Sequence, residues 1–282
     1  MQIGKYTLYV VESGSFALDG GAMFGVVPKT IWSRTHKSDE LNRVKIVTRN
    51  LLLVSDKKKI LIDTGNGNKW SPKYKEIYGM GDDGDLLGTS LADLGFTRDD
   101  ITDVWLTHLH FDHSGGATAY EGDTIVPAFT HANYYVQADN LRWARQQNER
   151  DKASYLPVNY EPLYEAGVLM ENLSEDIFLD DEIEIVRVNG HTYGQQLFKI
   201  SDSQNTVLFG ADLFPLASLI PLPYIMAYDL QPLITLQEKK TLLKIITDEK
   251  WKIFFEHDPN HILATVKQDA KGFQIDECFN AI

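Results

Sequence analysis

Short apolar runs separated by turn residues dominate the first half of the chain. One of them, Lys59–Ile62, ends at Asp63-Thr64-Gly65, and another leads directly into a group of histidines. Runs of this length and composition are typical of buried strands. The predicted strands are Tyr6–Val11, Val44–Val54, Lys59–Ile62 and Ile101–Leu106. Leu86–Leu94 has the pattern of a helix, and Gly95 is a common residue just after a helix end.

The middle of the chain has a different pattern and a composition rich in Tyr, Asn, Gln and Arg. Ala138–Glu149 is predicted to be helical, and Tyr160–Ala166 is predicted to be a second, shorter helix that ends at Gly167. We interpret residues 127–176 as a partly helical insertion within one domain that spans residues 1–282.

Strands return in the second half of the chain, at Ile183–Val188, Gln196–Ile200, Thr206–Phe209 and Lys252–Phe255. Pro215–Pro232 contains four prolines and is predicted to be a long ordered loop. Leu233–Ile246 is predicted to be a helix. Two strand-rich halves that each include helices favour an α/β fold of four layers, with the sheets inside and the helices outside.

Composition excludes several classes of function. The 282 residues carry a formal net charge of −13, so nucleic acid and anionic membranes are unlikely partners. Cys278 is the only cysteine, which excludes an intramolecular disulfide framework. The N-terminus lacks the pattern of a signal peptide, and no apolar run has the length of a transmembrane helix. We therefore expect a cytoplasmic protein that acts on a small molecule.

The candidate chemistry is concentrated in Thr107–Gly116. His108, His110, Asp112 and His113 lie within six residues, directly after a predicted strand. Imidazole and carboxylate are the ligands that suit zinc and similar divalent metals. An extended backbone points residues i and i+2 to one side, which would aim His108 and His110 at one ion. The segment is therefore predicted to bind metal.

Further ligands are needed for two metal sites, and three candidates follow predicted strands: His191, Asp212 and His257. His261 lies four residues after His257 and could compete with it as a ligand. His131 and His36 are interpreted as loop and surface residues outside the site.

The order of these elements resembles the metallo-β-lactamase superfamily of hydrolases. The resemblance includes the H-x-H-x-D-H segment, an aspartate in Leu61–Gly65, and later Gly-His, Asp and His elements. It implies an αββα sandwich and two divalent ions, zinc first, with Fe, Mn or Co as alternatives. It assigns His108, His110 and His191 to one ion, Asp112, His113 and His257 to the other, and Asp212 to both. Asp63 would be a buried residue that holds the metal loop.

A narrower resemblance is to the branch that includes quorum-quenching N-acyl-homoserine lactonases. It is carried by Asp19–Lys29, Ala153–Tyr155 and Phe255–Pro259. It implies that Met23, Phe24 and Trp32 line the substrate pocket. The chain departs from this pattern at Gln195, where a histidine is usual, and at Pro215, where some lactonases carry a tyrosine. Tyr193 and Tyr224 are alternative groups for polarising a carbonyl.

The leading hypothesis is a dinuclear hydrolase that opens lactones or cleaves esters, with Asp112 passing a proton to the leaving alkoxide. A phosphotriester or phosphodiester hydrolase on the same site is the alternative. A thioesterase, a nuclease, a flavodiiron oxidoreductase and a non-catalytic scaffold fit the sequence less well. The tyrosine-rich stretch leaves a homodimer open as the assembly.

Overall fold

The computed structural model describes residues 1–82, 84–146, 148–172 and 179–282. The chain divides into two compact units, of which the first comprises Met1–Ser15 and Thr48–Glu175 and the second Phe16–Val47 and Asp176–Ile282. The organisation as a single domain stays a prediction.

The first unit is built on a sheet in the order β1-β2-β3-β4-β5-β8-β9. Its strands are β1 (Gln2–Ile3), β2 (Tyr6–Asp19), β3 (Arg43–Val54), β4 (Lys59–Ile62), β5 (Asp103–Trp105), β8 (Asn133–Gln137) and β9 (Leu169–Asn172). From β4 to β9 the neighbours are parallel. β6 (Thr118–Glu121) and β7 (Thr124–Pro127) form a separate hairpin. The carboxyl ends of β4 and β5 therefore meet at one edge of the sheet, where open α/β sheets usually place their ligands.

Short helices accompany this sheet: α3 (Pro72–Ile77), α4 (Leu86–Asp93), α5 (Phe111–Ser114), α6 (Ala138–Gln146) and α7 (Glu161–Glu165). The core contains Leu61 of β4, Val104 of β5 and Val136 of β8, all fully buried, with Leu91 of α4 and Leu163 of α7 packed into the same cluster. Burial of this apolar surface is the main stabilising term of the unit.

The second unit has a six-stranded sheet in sequential order from β10 to β15. The strands are β10 (Ile183–Val188), β11 (Gln195–Ser201), β12 (Thr206–Phe209), β13 (Lys252–Phe254), β14 (Leu263–Asp269) and β15 (Gly272–Phe279). β12 and β13 are parallel, whereas the other pairs are antiparallel. The helices are α1 (Gly20–Phe24), α2 (Lys29–Trp32) and α8 (Pro232–Asp248). α8 begins at Pro232, where the absence of a backbone N–H costs nothing.

The predicted strands and longer helices are present, with most ends shifted by a few residues. The strand predicted at Tyr6–Val11 continues to Asp19 as β2. One element that the sequence patterns missed, α3, contains no buried residue and so has no apolar stripe. Residues 127–176 contain two strands of the sheet, β8 and β9, and residues 173–176 lie outside the described part of the chain. Within the described residues, no helix is both long and apolar enough to cross a membrane.

Candidate metal centre

The histidine-rich segment leaves the carboxyl end of β5 in the first unit. Its backbone turns into the one-turn helix α5, so Asp112 and His113 lie on a turn while His108 and His110 precede it. All four side chains are buried. Ionisable groups this deeply buried are normally paired or bound to metal.

Asp63 orients this segment. It follows β4 directly, in a left-handed conformation with φ of 57°. Its Oδ1 accepts the Thr107 backbone N–H at 2.7 Å, and its Oδ2 accepts the Thr107 hydroxyl at 2.7 Å and lies 3.0 Å from His113 Nδ1. The carboxylate thereby fixes one nitrogen of His113 and leaves the other for a cation, which is the usual arrangement around metal-binding histidines.

The imidazoles of the first unit lie close together. His108 Nε2 is 3.0 Å from His110 Nδ1, and the ring centroids of His108 and His113 are 4.0 Å apart. Nδ1 of His108 contacts the Thr107 hydroxyl at 3.0 Å. Two imidazole nitrogens at this separation can bind the same ion.

Close backbone packing behind the segment requires glycine. Gly116 N donates to Gly65 O at 3.2 Å, and a Cβ added at Gly115 would lie 2.0 Å from Asn66 O. Only glycine allows the two loops to approach so closely. The half-buried Lys69 reinforces the approach, because its ammonium donates to Gly115 O and, at 2.7 Å, to Thr118 O.

The second unit presents a second set of candidate ligands at separate strand ends. His191 follows β10, Asp212 follows β12 and His257 follows β13, and all three are buried. Oδ2 of Asp212 lies 3.0 Å from His191 Nε2, and Oδ1 lies 3.1 Å from His257 Nε2. The carboxylate of Asp212 is thus placed between two imidazoles.

The Nδ1 atoms of His191 and His257, opposite the nitrogens that face Asp212, also have hydrogen-bonding partners. His191 Nδ1 lies 2.8 Å from Asp229 Oδ1, and His257 Nδ1 lies 2.8 Å from Val47 O. Burial disfavours the charged form of His191, but Asp212 and Asp229 outweigh burial and raise its pKa to about 10. A cation must displace that proton, so metal binding here is coupled to proton release.

Helix α8 supports the loop that carries His191. Glu238 accepts the backbone N–H groups of Asn189 at 2.7 Å and Gly190 at 3.1 Å. A Cβ added at Gly190 would lie 2.3 Å from the Thr235 hydroxyl, so the loop packs tightly on the helix. Sequence reasoning missed both Asp229 and Glu238. Asp229 lies in a proline-rich loop and Glu238 on a helix, so neither shows a ligand-like spacing.

Met23, Phe24 and Trp32 are all buried in the second unit. Phe24 stacks on Trp32 with ring centroids 5.1 Å apart, and it lies 5.2 Å from the ring of His36. The expectation that His36 is a surface residue is wrong: it is 6% exposed because the α1–α2 segment folds over it. Substrate contact by Met23, Phe24 and Trp32 stays a prediction.

Aromatic rings surround the metal-binding segment within the first unit. Tyr155 packs on His110 with centroids 4.6 Å apart, and Phe111 contacts Trp70 at 5.0 Å and Tyr78 at 5.1 Å. Burial, and then the charge of Asp112, raise the pKa of the Tyr78 hydroxyl. The Tyr78 hydroxyl near Asp112 therefore stays protonated at neutral pH.

Comparison with known protein families assigns this chain to a family. The family model of the metallo-beta-lactamase superfamily matches residues 47–257, which include all seven candidate ligands. The chain belongs to the metallo-beta-lactamase superfamily. It is a metal-dependent hydrolase of that family, and the expected α/β fold class is confirmed.

Relatives within the superfamily include lactonases. The N-acyl homoserine lactonase AiiA of Bacillus thuringiensis subsp. kurstaki is 26% identical over 220 residues, which cover 73% of this chain and 79% of that protein. A structure described as a probable metal-dependent hydrolase from Staphylococcus aureus is 28% identical, covers 100% of both chains and has a TM-score of 0.89. The dizinc quorum-quenching lactonase AidC, with its product bound, is 22% identical, with a TM-score of 0.81 over 99% of this chain and 97% of its own.

The donor sets of both units fit divalent metal. Each unit supplies buried imidazole nitrogens and carboxylate oxygens, and these are the ligands that zinc and related ions take. His113, His191 and His257 each have one ring nitrogen held by a carboxylate or a carbonyl. The other nitrogen is thereby aimed and kept available to a cation.

Proposed function

We propose that this protein is a dinuclear metal-dependent hydrolase that opens lactones or cleaves esters. One ion would be bound by His108, His110 and His191, the other by Asp112, His113 and His257, and both by Asp212. Zinc is the expected metal, with Fe, Mn and Co as alternatives. The observation that carries the proposal is the position of Asp212, whose carboxylate oxygens lie within 3.1 Å of His191 Nε2 and His257 Nε2. The opposite ring nitrogens of both histidines are held by Asp229 and by Val47 O.

The ions would supply Lewis-acid polarisation of the carbonyl and a lowered pKa of the attacking water. The protein's own residues would do the rest. Asp112, buried beside Phe111, would take up the proton that the attacking water releases and pass it to the oxygen of the leaving alkoxide. In a lactone this oxygen stays tethered to the acyl group after the ring opens, so it remains near Asp112. Positioning of this kind makes proton transfer effectively intramolecular.

The proposed substrates are small and uncharged or weakly charged. The net charge of −13 slows the approach of polyanions, and this disfavours nucleic acids. The similarity to N-acyl homoserine lactonases supports an acyl lactone. We further propose that the protein acts in the cytoplasm, independently of membranes. A homodimer is the proposed assembly, and size-exclusion chromatography would test it.

A residue for polarising the carbonyl is also proposed. Pro215 stands where some lactonases carry a tyrosine, so this contact must come from elsewhere or from metal alone. Tyr224 lines a small cleft of the second unit together with Asp212 and Pro215. Tyr224 is therefore a stronger candidate than Tyr193 for an O–H donor near Asp212.

The test is a comparison of kcat/KM for acyl lactones, aryl esters, a phosphotriester and a β-lactam on one zinc-loaded preparation. We expect lactones to be the fastest substrates. A matched sample of Asp112→Asn should lose most turnover while still binding metal. A phosphotriester that exceeds every lactone by about tenfold, or about 1.4 kcal/mol in transition-state binding, would favour the alternative hydrolase instead.

A further inference from the structure

A buried lysine in the second unit has an arrangement that the proposed reaction does not use. Lys239 lies on α8 and is 1% exposed. Its ammonium donates to three backbone carbonyls: Leu219 O at 2.5 Å, Tyr224 O at 2.7 Å and Pro221 O at 3.1 Å. Since an ammonium has three N–H donors, all of its hydrogen-bonding capacity is directed at this one turn.

The charge of Lys239 needs an anion, because neutral carbonyls alone do not compensate the burial of an ammonium. Burial lowers the pKa of Lys239 to about 7, and the charge of Asp229 opposes this shift. Asp229 in turn lies 2.8 Å from Nδ1 of His191. Lys239 and Asp229 also line the same small cleft of the second unit. The charged form of Lys239 therefore acts electrostatically on the carboxylate that orients a proposed metal ligand.

The turn held by Lys239 belongs to a loop, Ala217–Gln231, which touches several parts of the second unit. Near its start, Ala217 N donates to Asp258 Oδ2 at 2.9 Å, directly after His257. Towards its end, Ala227 N donates to Ala22 O at 2.8 Å, next to Met23. Leu230 N then donates to His191 O at 3.1 Å. A displacement of this loop would therefore reach His257, His191 and the Met23 segment together.

We propose that Lys239 is a positioning residue that fixes the Ala217–Gln231 loop and keeps Asp229 in place behind His191. The inference goes deeper into the proposed function, since it takes His191 as a metal ligand. Lys239 lies outside the set that binds metal and acts through Asp229 and the backbone of the loop. Its loss should weaken metal binding even though it makes no contact with metal.

The primary test compares Lys239→Met with Lys240→Met, in which the exposed neighbouring lysine on the same helix is replaced. Zinc affinity is measured by competition with a chromophoric chelator, which requires no substrate. We expect Lys239→Met to weaken zinc binding about tenfold, within the range typical of groups that orient metal ligands, and Lys240→Met to leave it unchanged. Lys239→Gln keeps two N–H donors without the charge. It should fold more readily than Lys239→Met and lose part of the zinc affinity.

A double-mutant cycle distinguishes positioning through Asp229 from a general loss of stability. If Lys239 acts through Asp229, replacing it in an Asp229→Asn background should cost much less zinc affinity than in the wild type. An equal loss in both backgrounds, or unchanged affinity of Lys239→Gln, would overturn the proposal. Wild-type protein that binds no zinc would instead refute the proposed function, so the two failures are distinguishable.

Discussion

The two units supply the proposed metal ligands in contrasting ways. In the first unit, four ligands lie within one short segment, and a single carboxylate, Asp63, holds both the segment and His113. In the second unit, three ligands come from three strand ends, and His191 and His257 are oriented by different partners, Asp229 and Val47 O. The first set therefore shares one main side-chain support, Asp63, whereas His191 and His257 in the second set each have a support of their own.

This difference predicts which changes affect the whole site. Loss of Asp63 should disturb all ligands of the first unit at once. Loss of one support in the second unit should affect the ligand that it holds and spare the others. Asp212 and the Ala217–Gln231 loop are exceptions. The two oxygens of Asp212 face both His191 and His257, and the loop contacts His191 O and Asp258, which follows His257.

The largest effect is expected for Asp212→Ala. Removing a carboxylate shared by two imidazoles should release one ion and lower kcat/KM by about 1,000-fold, or about 4 kcal/mol in transition-state stabilisation. Kinetics and metal analysis of the same sample test this. The proposed role for Asp212 is refuted if the variant keeps both ions and full activity.

Asp63→Asn should have the next largest effect, mainly on stability. The amide cannot accept from Thr107 N, the Thr107 hydroxyl and His113 together, and breaking a buried network of this kind costs about 3 kcal/mol. Urea unfolding of metal-free protein measures the loss. Asp103→Asn serves as a control. Asp103 lies on β5, outside Thr107–Gly116, and pairs with the exposed Lys58 at 3.3 Å, so its replacement should lower the unfolding free energy less.

Asp229→Asn should act through His191 alone among the proposed ligands. Because Asp229 orients His191, the variant should bind zinc about 10–100-fold more weakly. Its unfolding free energy should change less than that of Asp63→Asn. A weaker zinc affinity for Asp63→Asn with an unchanged one for Asp229→Asn would contradict the idea that the second set depends on its own supports.

A smaller effect is expected from pH on the metal-free protein. The pKa of His191 in the fold, about 10, exceeds its ordinary value of 6.5. The proton on His191 therefore stabilises the fold fully below pH 6.5, and this stabilisation is lost as the pH rises towards 10. The Tm of chelator-treated protein should fall over this interval, and that of His191→Asn should fall less. An equal fall for both proteins would contradict the assignment.

The contrast between the units also explains what could be predicted from the sequence. Thr107–Gly116 is recognisable because its ligands are contiguous and follow an apolar run, and β4, β10 and β12 have the predicted bounds. Asp229, Glu238 and Lys239 act through tertiary contacts with residues 15 to 49 positions away, and no local spacing encodes such contacts. The burial of His36 was missed for the same reason, because it depends on packing against Phe24.

The central claim is that both ligand sets serve one dinuclear centre, and metal stoichiometry tests it most directly. Elemental analysis of purified, zinc-reconstituted protein should give two ions per chain. His108→Ala and His191→Ala, one from each unit, should each reduce that number towards one, because both are assigned to the same ion. A wild-type stoichiometry of one, or variants that both retain two ions, would contradict the claim.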